Sequence, residues 1–217
     1  WHAEVVFAAS PGLGKRLSPC SDNIALLPNG VNPLLFLQQE HALPPAMERL
    51  PGRTVLGRVG SLTGKVDLQP LLHAAARRPE WTFVLMGPAT RQAAQQLRGQ
   101  DNLVLTGPVT PLDLPDYLCR CDLLFDLLRQ DRRGSDVISP VIYEYLAAGK
   151  PVVAVTDPAV PDPLPQLVRS AYDGPGFLRS CRDALAEGPS AIGRRKAFAQ
   201  QSSWGSRAAQ VSNILEA

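Results

Sequence analysis

Strand-like and helix-like patterns alternate along most of this 217-residue chain, and the alternation limits the fold more than any other feature. Continuous apolar runs that close on glycine, such as Trp81–Met86 before Gly87, are typical of strands buried on both faces. Segments with apolar side chains at helical spacing separate these runs. Because strands that alternate with helices build right-handed βαβ units, the pattern predicts an α/β fold with a parallel sheet covered on both faces.

The predicted elements are placed by their caps and closing residues. Five strands are expected in the main sheet, at Thr54–Val59, Trp81–Met86, Asn102–Thr106, Asp122–Leu127 and Pro151–Val155. Three helices are expected in the first half of the domain: from an N-cap at Asp67 to a residue before Pro79, over about 90–98, and from Asp113 to Cys121. Three more are expected from Ser139 to Ala148, with Gly149 behind it, at Phe177–Leu185 and at Trp204–Leu215. The first fifty residues differ, with strands at Glu4–Ser10 and Ile24–Leu27, a helix at Pro11–Leu17 and then a proline-rich stretch. This part of the sequence indicates the edge of another domain and a linker.

Composition excludes several functional classes. Lysine and arginine number 22 against 20 aspartates and glutamates, so the net charge of +2 argues against a nucleic-acid surface. The apolar runs are far shorter than the ~18 residues of a membrane span. The four cysteines lack zinc spacing, since one residue separates Cys119 from Cys121. We therefore expect reduced thiols in a cytoplasmic protein, and the start at Trp1 without a leader indicates a fragment of something longer.

Glycine follows three of the predicted strands. In an open parallel sheet, ligands bind beyond the carboxyl ends of the strands, where Gly60, Gly87 and Gly107 stand. A residue without Cβ lets backbone N–H groups approach a phosphate or a base closely, although such glycines also occur simply as tight turns. The sequence has neither a Walker phosphate loop nor a GxGxxG fingerprint. Lys65 nevertheless places a cation beside the first of these turns.

A second candidate group surrounds the helix predicted from Ser139. Asp136 precedes that helix, whose unpaired N–H groups and positive dipole end favour an anion. Glu144 lies further along, between two tyrosines, where it can accept hydrogen bonds from vicinal sugar hydroxyls. The alternatives are that Asp136 is an ordinary cap and that Glu144 is a solvated glutamate. His73, within an apolar helix, is read as a packed or edge histidine.

Tyr143–Val153 closely resembles the "EYLAAGKPVV" segment of group 1, GT4-like glycosyltransferases, which have the GT-B fold. Further segments resemble the family pattern in the same order: Phe7–Ser10, Leu27–Val31 with Phe36, Gly60–Leu62 with Asp67, Pro79–Pro88, Asn102–Gly107, Leu114–Leu118 with Asp122, and Ser203–Trp204. The resemblance implies the C-terminal half of a GT-B fold. It implies the end of the N-terminal domain plus a linker over 1–50, a Rossmann-like, doubly wound donor-binding domain over 51–200, and a C-terminal helix over 201–217 that packs back toward the N-terminal domain.

The resemblance also implies roles for single residues. The backbone around Gly107 and Val109 would meet the nucleobase, Glu144 the ribose hydroxyls, and Asp136, in place of the first glutamate of the family's E-x7-E motif, the donor sugar. The remaining residues implied in donor binding are Gly60, Ser61, Lys65, Gly87, Arg132, Val137, Ile138 and Ser139, and the Val137–Pro140 amides and the Ser61 loop would lie along the diphosphate. The implied reaction is transfer from a UDP- or GDP-linked sugar with retention, without a metal or a further cofactor. The partner would be an N-terminal domain absent from this chain, and the inner face of the membrane is a possible location.

Two positions depart from the family pattern. Ser61 stands where many relatives have an arginine, and Val141 and Ile142 stand where many have a lysine, in a segment one residue shorter. Lys65, Arg132 or Arg133 could supply the missing charge. The departures keep two alternatives open: a non-catalytic module that binds a nucleotide or a partner, and a GT-B epimerase that acts on sugar nucleotides.

Overall fold

The computed structural model describes residues 3–37, 41–50, 54–128, 139–154 and 164–216 of the chain. The strands are β1 (Val6–Ala8), β2 (Ile24–Leu26), β3 (Thr54–Val59), β4 (Trp81–Met86), β5 (Leu103–Gly107), β6 (Leu123–Asp126), β7 (Val152–Ala154) and β8 (Val168–Ser170). The helices are α1 (Pro11–Leu17), α2 (Gln69–Arg77), α3 (Arg91–Gln96), α4 (Leu114–Arg120), α5 (Val141–Ala147), α6 (Leu164–Leu167), α7 (Gly174–Leu185), α8 (Ser190–Gln201) and α9 (Trp204–Leu215). No described helix is long and apolar enough to span a bilayer.

Six of the strands form one parallel sheet in the order β5-β4-β3-β6-β7-β8. The chain builds this sheet outward in one direction from β3 and then in the other direction from β6. That is the strand order of a doubly wound, Rossmann-like domain, which confirms the predicted fold class. The reversal creates a switch point between β3 and β6, where a crevice opens beyond the carboxyl ends of the strands.

Helices cover both faces of the sheet because the central strands are apolar on both sides. On one face, α2, α3 and α7 enclose a core in which the rings of Phe83, Phe125 and Phe177 meet with centroids 6.2 and 5.4 Å apart. On the other face, α4, α5 and α8 pack around buried side chains that include Leu118 and Leu146. Helices therefore pack on both faces of the sheet, and the loops that follow the strands lie at its carboxyl edge.

The N-terminal segment forms a separate two-stranded parallel sheet, β1 with β2, and α1 connects the two strands. Two 3-10 turns, Pro33–Phe36 and Pro45–Met47, follow it and bury Phe36 and Met47 against the main domain. At the far end of the chain, α9 returns to this segment, and the Gln210 side chain donates to the Leu26 carbonyl (3.0 Å). The division into domains at residues 50 and 200 stays a prediction.

The predicted elements match the structure closely in the middle of the chain and less well elsewhere. Strands β3 and β4 have the predicted bounds, whereas β5 begins and ends one residue later than predicted. The Asn102 side chain, just before β5, donates to the carbonyls of Ala75, Arg78 and Trp81. Strand β8 and helices α6 and α8 were not predicted.

Two residues predicted as helix N-caps, Asp67 and Asp113, make other contacts in the structure. Asp67 lies two residues before α2, where its carboxylate accepts the Gln69 N–H (3.0 Å). Asp113 holds the N-cap position of α4 without capping it, because its carboxylate accepts the Thr110 hydroxyl instead (2.7 Å). All four cysteines are free thiols.

Candidate functional site

The three predicted glycine corners meet at the carboxyl edge of the sheet. The Gly60 N–H donates to the Met86 carbonyl, and the Gly87 N–H donates to the Gly107 carbonyl, both at 2.8 Å. All three glycines have a positive φ, of 111°, 143° and 74° in chain order. A Cβ on Gly87 would lie 2.6 Å from the Gly60 carbonyl oxygen. The close approach of two backbones therefore requires glycine at position 87.

The third corner is uncrowded in the described part of the chain. Apart from its two chain neighbours, no described residue has an atom within 4 Å of where a Cβ on Gly107 would be. The Thr106 hydroxyl donates to the Gly107 carbonyl (2.9 Å), and the half-buried Val109 packs against the core just beyond. The corner thus presents backbone in a fixed direction beside unfilled volume, as a site for a flat ligand requires.

The loop after β3 is held by the buried side chain of Leu62, and the residues next to Leu62 in the loop are exposed. Leu62 is buried, its N–H donates to the Pro88 carbonyl (2.8 Å), and its carbonyl accepts the Thr90 N–H (3.1 Å). Ser61 and Lys65, on either side, are exposed. Within the described residues, the Ser61 N–H has no acceptor. The loop therefore offers a free N–H and a lysine at the same edge of the sheet.

A buried ion pair lies directly beneath this loop. Arg58 near the end of β3 and Asp126 at the end of β6 approach to 3.3 Å, and each side chain is only 4% exposed. The other terminal nitrogen of Arg58, Nη1, donates to the Gly60 carbonyl (2.8 Å). Burial raises the pKa of Asp126, and the Arg58 charge and a hydrogen bond from the Ser139 side chain offset part of that rise. The pair thus connects the first glycine corner to Ser139, two residues before α5.

Tyr145 connects α5 to the same two strands from the opposite side. Its hydroxyl accepts the Val59 N–H (2.8 Å) and donates to the Phe125 carbonyl (3.3 Å). Burial raises the pKa of Tyr145 well above its ordinary value, so the hydroxyl stays protonated. Because these contacts are at the carboxyl ends of β3 and β6, they place α5 at the switch point.

Glu144 precedes Tyr145 on this helix and is half-buried. Burial raises the pKa of its carboxyl, and no group in the described part of the chain opposes the rise. Among the described residues, the Glu144 carboxylate has no hydrogen-bond or ion-pair partner. A carboxylate in this state is a strong acceptor for hydroxyls that a ligand would bring.

The other predicted site residues fall into two groups. Ser139 lies at the start of the α5 segment and contacts Asp126. Arg132, Asp136, Val137 and Ile138 lie outside the described residues. The described part of the chain also holds no group of three or more histidine, cysteine or acidic side chains arranged to bind a metal ion.

Sequence reasoning missed Arg58, Asp126 and the role of Tyr145. The available signal was a charged residue inside each of two otherwise apolar strands, since a buried charge requires a partner. The sequence did not show that the two strands are neighbours, and so it did not pair them. His73, read as a packed or edge histidine, lies against Gly174 of α7 and contacts Arg77 (3.1 Å).

Comparisons with known proteins give the family and the fold. The TuaH protein of Bacillus subtilis (strain 168), named for glycosyl transfer in teichuronic acid biosynthesis, is 29% identical over 181 residues, which cover 80% of this chain and 45% of TuaH. The crystal structure of Anabaena HepE in complex with UDP and glucose matches 99% of this chain and 63% of HepE, with a TM-score of 0.78 at 17% identity. Sucrose-phosphate synthase from Thermosynechococcus elongatus matches 99% of this chain and 58% of its own, with a TM-score of 0.73 at 18% identity.

The chain thus spans about half the length of TuaH and less than two thirds of HepE. At these identities the structural likenesses show the fold, which is that of GT-B glycosyltransferases. The family model for "Glycosyl transferases group 1" matches residues 53–188, which is more than half of the chain and includes every corner described above. The chain belongs to the group 1 glycosyltransferase family.

Proposed function

We propose that this chain is the donor-binding half of a glycosyltransferase, which binds a nucleoside-diphosphate sugar and transfers the sugar to an acceptor. The observation that carries the proposal is the convergence of three glycine corners and the Glu144 helix at the switch point of the sheet. Ligands bind at this point in open α/β sheets. HepE, with a similar fold, has been crystallised with UDP and glucose and with UDP-glucose, which supports a UDP-linked donor.

Each part of the donor has a suitable surface in this arrangement. The base would lie at the Gly107 corner, where backbone borders space that the described residues leave unfilled beside Val109. The ribose would reach Glu144, whose carboxylate can accept two hydroxyl hydrogen bonds and has no partner in the described chain. The diphosphate would lie along the loop after β3, near the free Ser61 N–H and Lys65. Ser139 continues this line toward the segment that contains Asp136.

The arrangement suits departure of a nucleoside diphosphate. As the bond between the sugar and the phosphate breaks, negative charge grows on the diphosphate and positive charge on the anomeric carbon. Fixed N–H groups and a lysine stabilise the leaving group without rearrangement during the reaction. We propose that transfer proceeds without a metal ion and with retention. Asp136 would lie near the sugar.

The proposal includes a second wall of the cleft that this chain lacks. Acceptor-binding groups would lie on an N-terminal domain that continues the small β1–β2 sheet. We therefore expect the 217-residue chain to bind a nucleoside diphosphate weakly and to transfer no sugar. Titration calorimetry with UDP, GDP and ADP tests this expectation, and one nucleotide should give saturable heat at about 1 mM ligand. The absence of heat from all three would contradict the proposal.

One observation favours a second candidate, a module that binds a nucleotide without catalysis. Where many relatives place cations, this chain has the exposed Ser61, the half-buried Val141 and the buried Ile142. In the full-length protein, release of diphosphate from a nucleotide sugar that stops in Glu144→Gln would support the enzyme. Binding without any release would support the module.

A further inference from the structure

A hydrogen bond from the buried Arg58 side chain sets the direction of the Gly60–Ser61 peptide at the carboxyl edge of the sheet. Arg58 Nη1 donates to the Gly60 carbonyl at 2.8 Å. In a trans peptide the carbonyl and the following N–H point in opposite directions. Because the Gly60 carbonyl points toward the buried guanidinium, the Ser61 N–H points away from it. Ser61 is exposed, and this N–H has no acceptor among the described residues.

The orientation of this peptide is not fixed by the backbone itself. Gly60 lacks a Cβ and has a φ of 111°, in a region that glycine enters freely, so side-chain sterics at this residue do not fix the direction of the peptide that follows it. Two contacts remove that freedom. One is the hydrogen bond from Arg58, and the other is the packing of the Gly60 carbonyl against Gly87, which leaves no room for a Cβ.

Arg58 is itself held in place by Asp126. The two groups lie 3.3 Å apart, and both are almost fully buried. Buried ion pairs add little stability compared with apolar residues of the same volume, since removing two charges from water costs about as much as their attraction returns. Stability alone therefore does not account for an ion pair at the ligand-binding edge of an otherwise apolar sheet.

We infer that Arg58, held by Asp126, is a positioning residue that directs the Ser61 N–H toward the donor diphosphate. This inference rests on the proposed function. Arg58 does not touch the donor. It fixes the Gly60 carbonyl inward, and the N–H of the same peptide is thereby presented to a phosphate oxygen as a preorganised donor. The chain can in this way bind a phosphate through backbone where many relatives have an arginine.

The test is an apolar replacement of the whole pair, Arg58→Met with Asp126→Leu. Because both charges are removed together, no unpaired charge is left behind, and we expect the chain to fold. The affinity for UDP should fall about tenfold or more, as expected for the loss of a hydrogen bond to a charged group. The affinity for uridine, measured by ligand-observed NMR, should be unchanged because uridine has no phosphate. A purely structural role would weaken both ligands or neither, and either result would overturn the inference.

A matched control is available at a distance from the site. Arg195 of α8 is equally buried and pairs with Glu187, outside the carboxyl edge of the sheet. Arg195→Met with Glu187→Leu should leave the affinities for UDP and uridine unchanged. If Arg58→Met/Asp126→Leu fails to fold, Arg58→Gln with Asp126→Asn is measured in the same way. That variant keeps polar side chains, but the glutamine side chain is too short to hold the Gly60 carbonyl.

Hydrogen exchange separates this inference from the proposed function. In the parent chain, the Gly60 and Leu62 N–H groups are hydrogen-bonded to Met86 and Pro88. In Arg58→Met/Asp126→Leu these two amides should exchange faster, while the amides of β4 keep their protection. If the parent chain binds no nucleotide, the proposed function fails and the exchange at the corner still decides the role of Arg58. Unchanged exchange there would refute it.

Discussion

At Glu144, the proposed function and the stability of the fold place opposite demands on one residue. Its half-buried carboxylate has no partner in the described chain, and burial raises its pKa. A negative charge in that environment lowers the stability of the fold, while it provides the acceptor that a ribose would use. The residue therefore serves the proposed donor site at the expense of stability.

We expect Glu144→Gln to separate these two effects. At pH 7 the variant removes the uncompensated charge, so the midpoint of thermal unfolding should rise by about 2–4 °C, the shift that ~1 kcal/mol gives in a domain of this size. The affinity for UDP should fall about tenfold, because a neutral amide accepts hydroxyl hydrogen bonds more weakly than a carboxylate does. Calorimetry measures both quantities. Glu216→Gln, at an exposed position on the last turn of the chain, is the control and should change neither.

The gain in thermal stability that we expect from Glu144→Gln should depend on pH in a defined direction. A carboxyl whose pKa is raised by folding binds its proton more tightly in the native state, so its stabilising contribution is complete below the unfolded pKa. That contribution is lost as the pH rises through the folded pKa. The advantage of Glu144→Gln in thermal unfolding should thus be largest at neutral pH and disappear in acid. An advantage that grows in acid would exclude burial of Glu144 as its cause.

Gly87 offers a second test at the residue scale. In Gly87→Ala a Cβ would lie 2.6 Å from the Gly60 carbonyl oxygen at a φ of 143°, so a steric clash adds to backbone strain. In Gly107→Ala the φ is also positive, but no described residue beyond the chain neighbours lies within 4 Å of the Cβ. Denaturant unfolding should show that Gly87→Ala loses more stability than Gly107→Ala, which should cost about 1–3 kcal/mol from strain alone. Equal losses would mean that the two corners are not in close contact.

The site could be predicted only in part from single residues. The glycine corners were predicted because glycine at the end of a strand is visible in the sequence, and parallel strands bring their carboxyl ends together. Arg58 and Asp126 were missed because their role depends on the pairing of β3 with β6. The roles of Arg132, Asp136, Val137 and Ile138 stay predictions.

At the scale of elements, α5 is fixed to the sheet by the hydroxyl of Tyr145. In Tyr145→Phe the Val59 N–H at the end of β3 loses its acceptor, the hydroxyl of the fully buried Tyr145. We expect a loss of about 1–3 kcal/mol in the free energy of unfolding, measured in urea. Tyr143→Phe is the control, since this buried tyrosine lies on the same helix and its hydroxyl has no hydrogen-bond partner in the described chain. A loss of the same size in both variants would mean that the Tyr145 hydrogen bond does not hold the helix.

Prediction of elements succeeded where pattern and burial agree. Strand β4 is buried at every position and was predicted with correct bounds. Strand β8 has only three residues, two of them exposed, so it lacks the apolar run that identifies a strand. Helix α8 carries Arg194, Arg195 and Lys196 in succession, and these charges interrupt its apolar stripe. Both elements depend on partners distant in sequence, since β8 pairs with β7 and α8 packs mainly against α5.

At the scale of the whole molecule, the N-terminal sheet and the main domain are joined through two chain segments. Val31 follows the small sheet, and its N–H donates to the Ser202 carbonyl (3.0 Å) while its carbonyl accepts the Trp204 N–H (3.0 Å). The Trp204 ring lies over Gly30, where a Cβ would be 2.7 Å from the ring. The two segments therefore touch each other at the point where both leave the main domain.

We expect Gly30→Ala to loosen this junction selectively. The added methyl group must displace the Trp204 ring, so the Val31 and Trp204 amides should exchange with solvent faster, while the amides of β4 keep their protection. Gly188→Ala is the control and should change neither, since an added Cβ there would meet no described residue within 4 Å beyond the chain neighbours. Unchanged exchange at Val31 would contradict the predicted displacement.

The junction between Val31 and Ser203 has a mechanical consequence. The contact does not stop at this point, because Arg207 donates to the Asn29 carbonyl (3.3 Å) and Gln210 to the Leu26 carbonyl further along. The small sheet and α9 are thus tied to each other at several positions and should move as one unit. In the proposed two-domain enzyme, α9 would then travel with the N-terminal domain whenever the cleft changes its width.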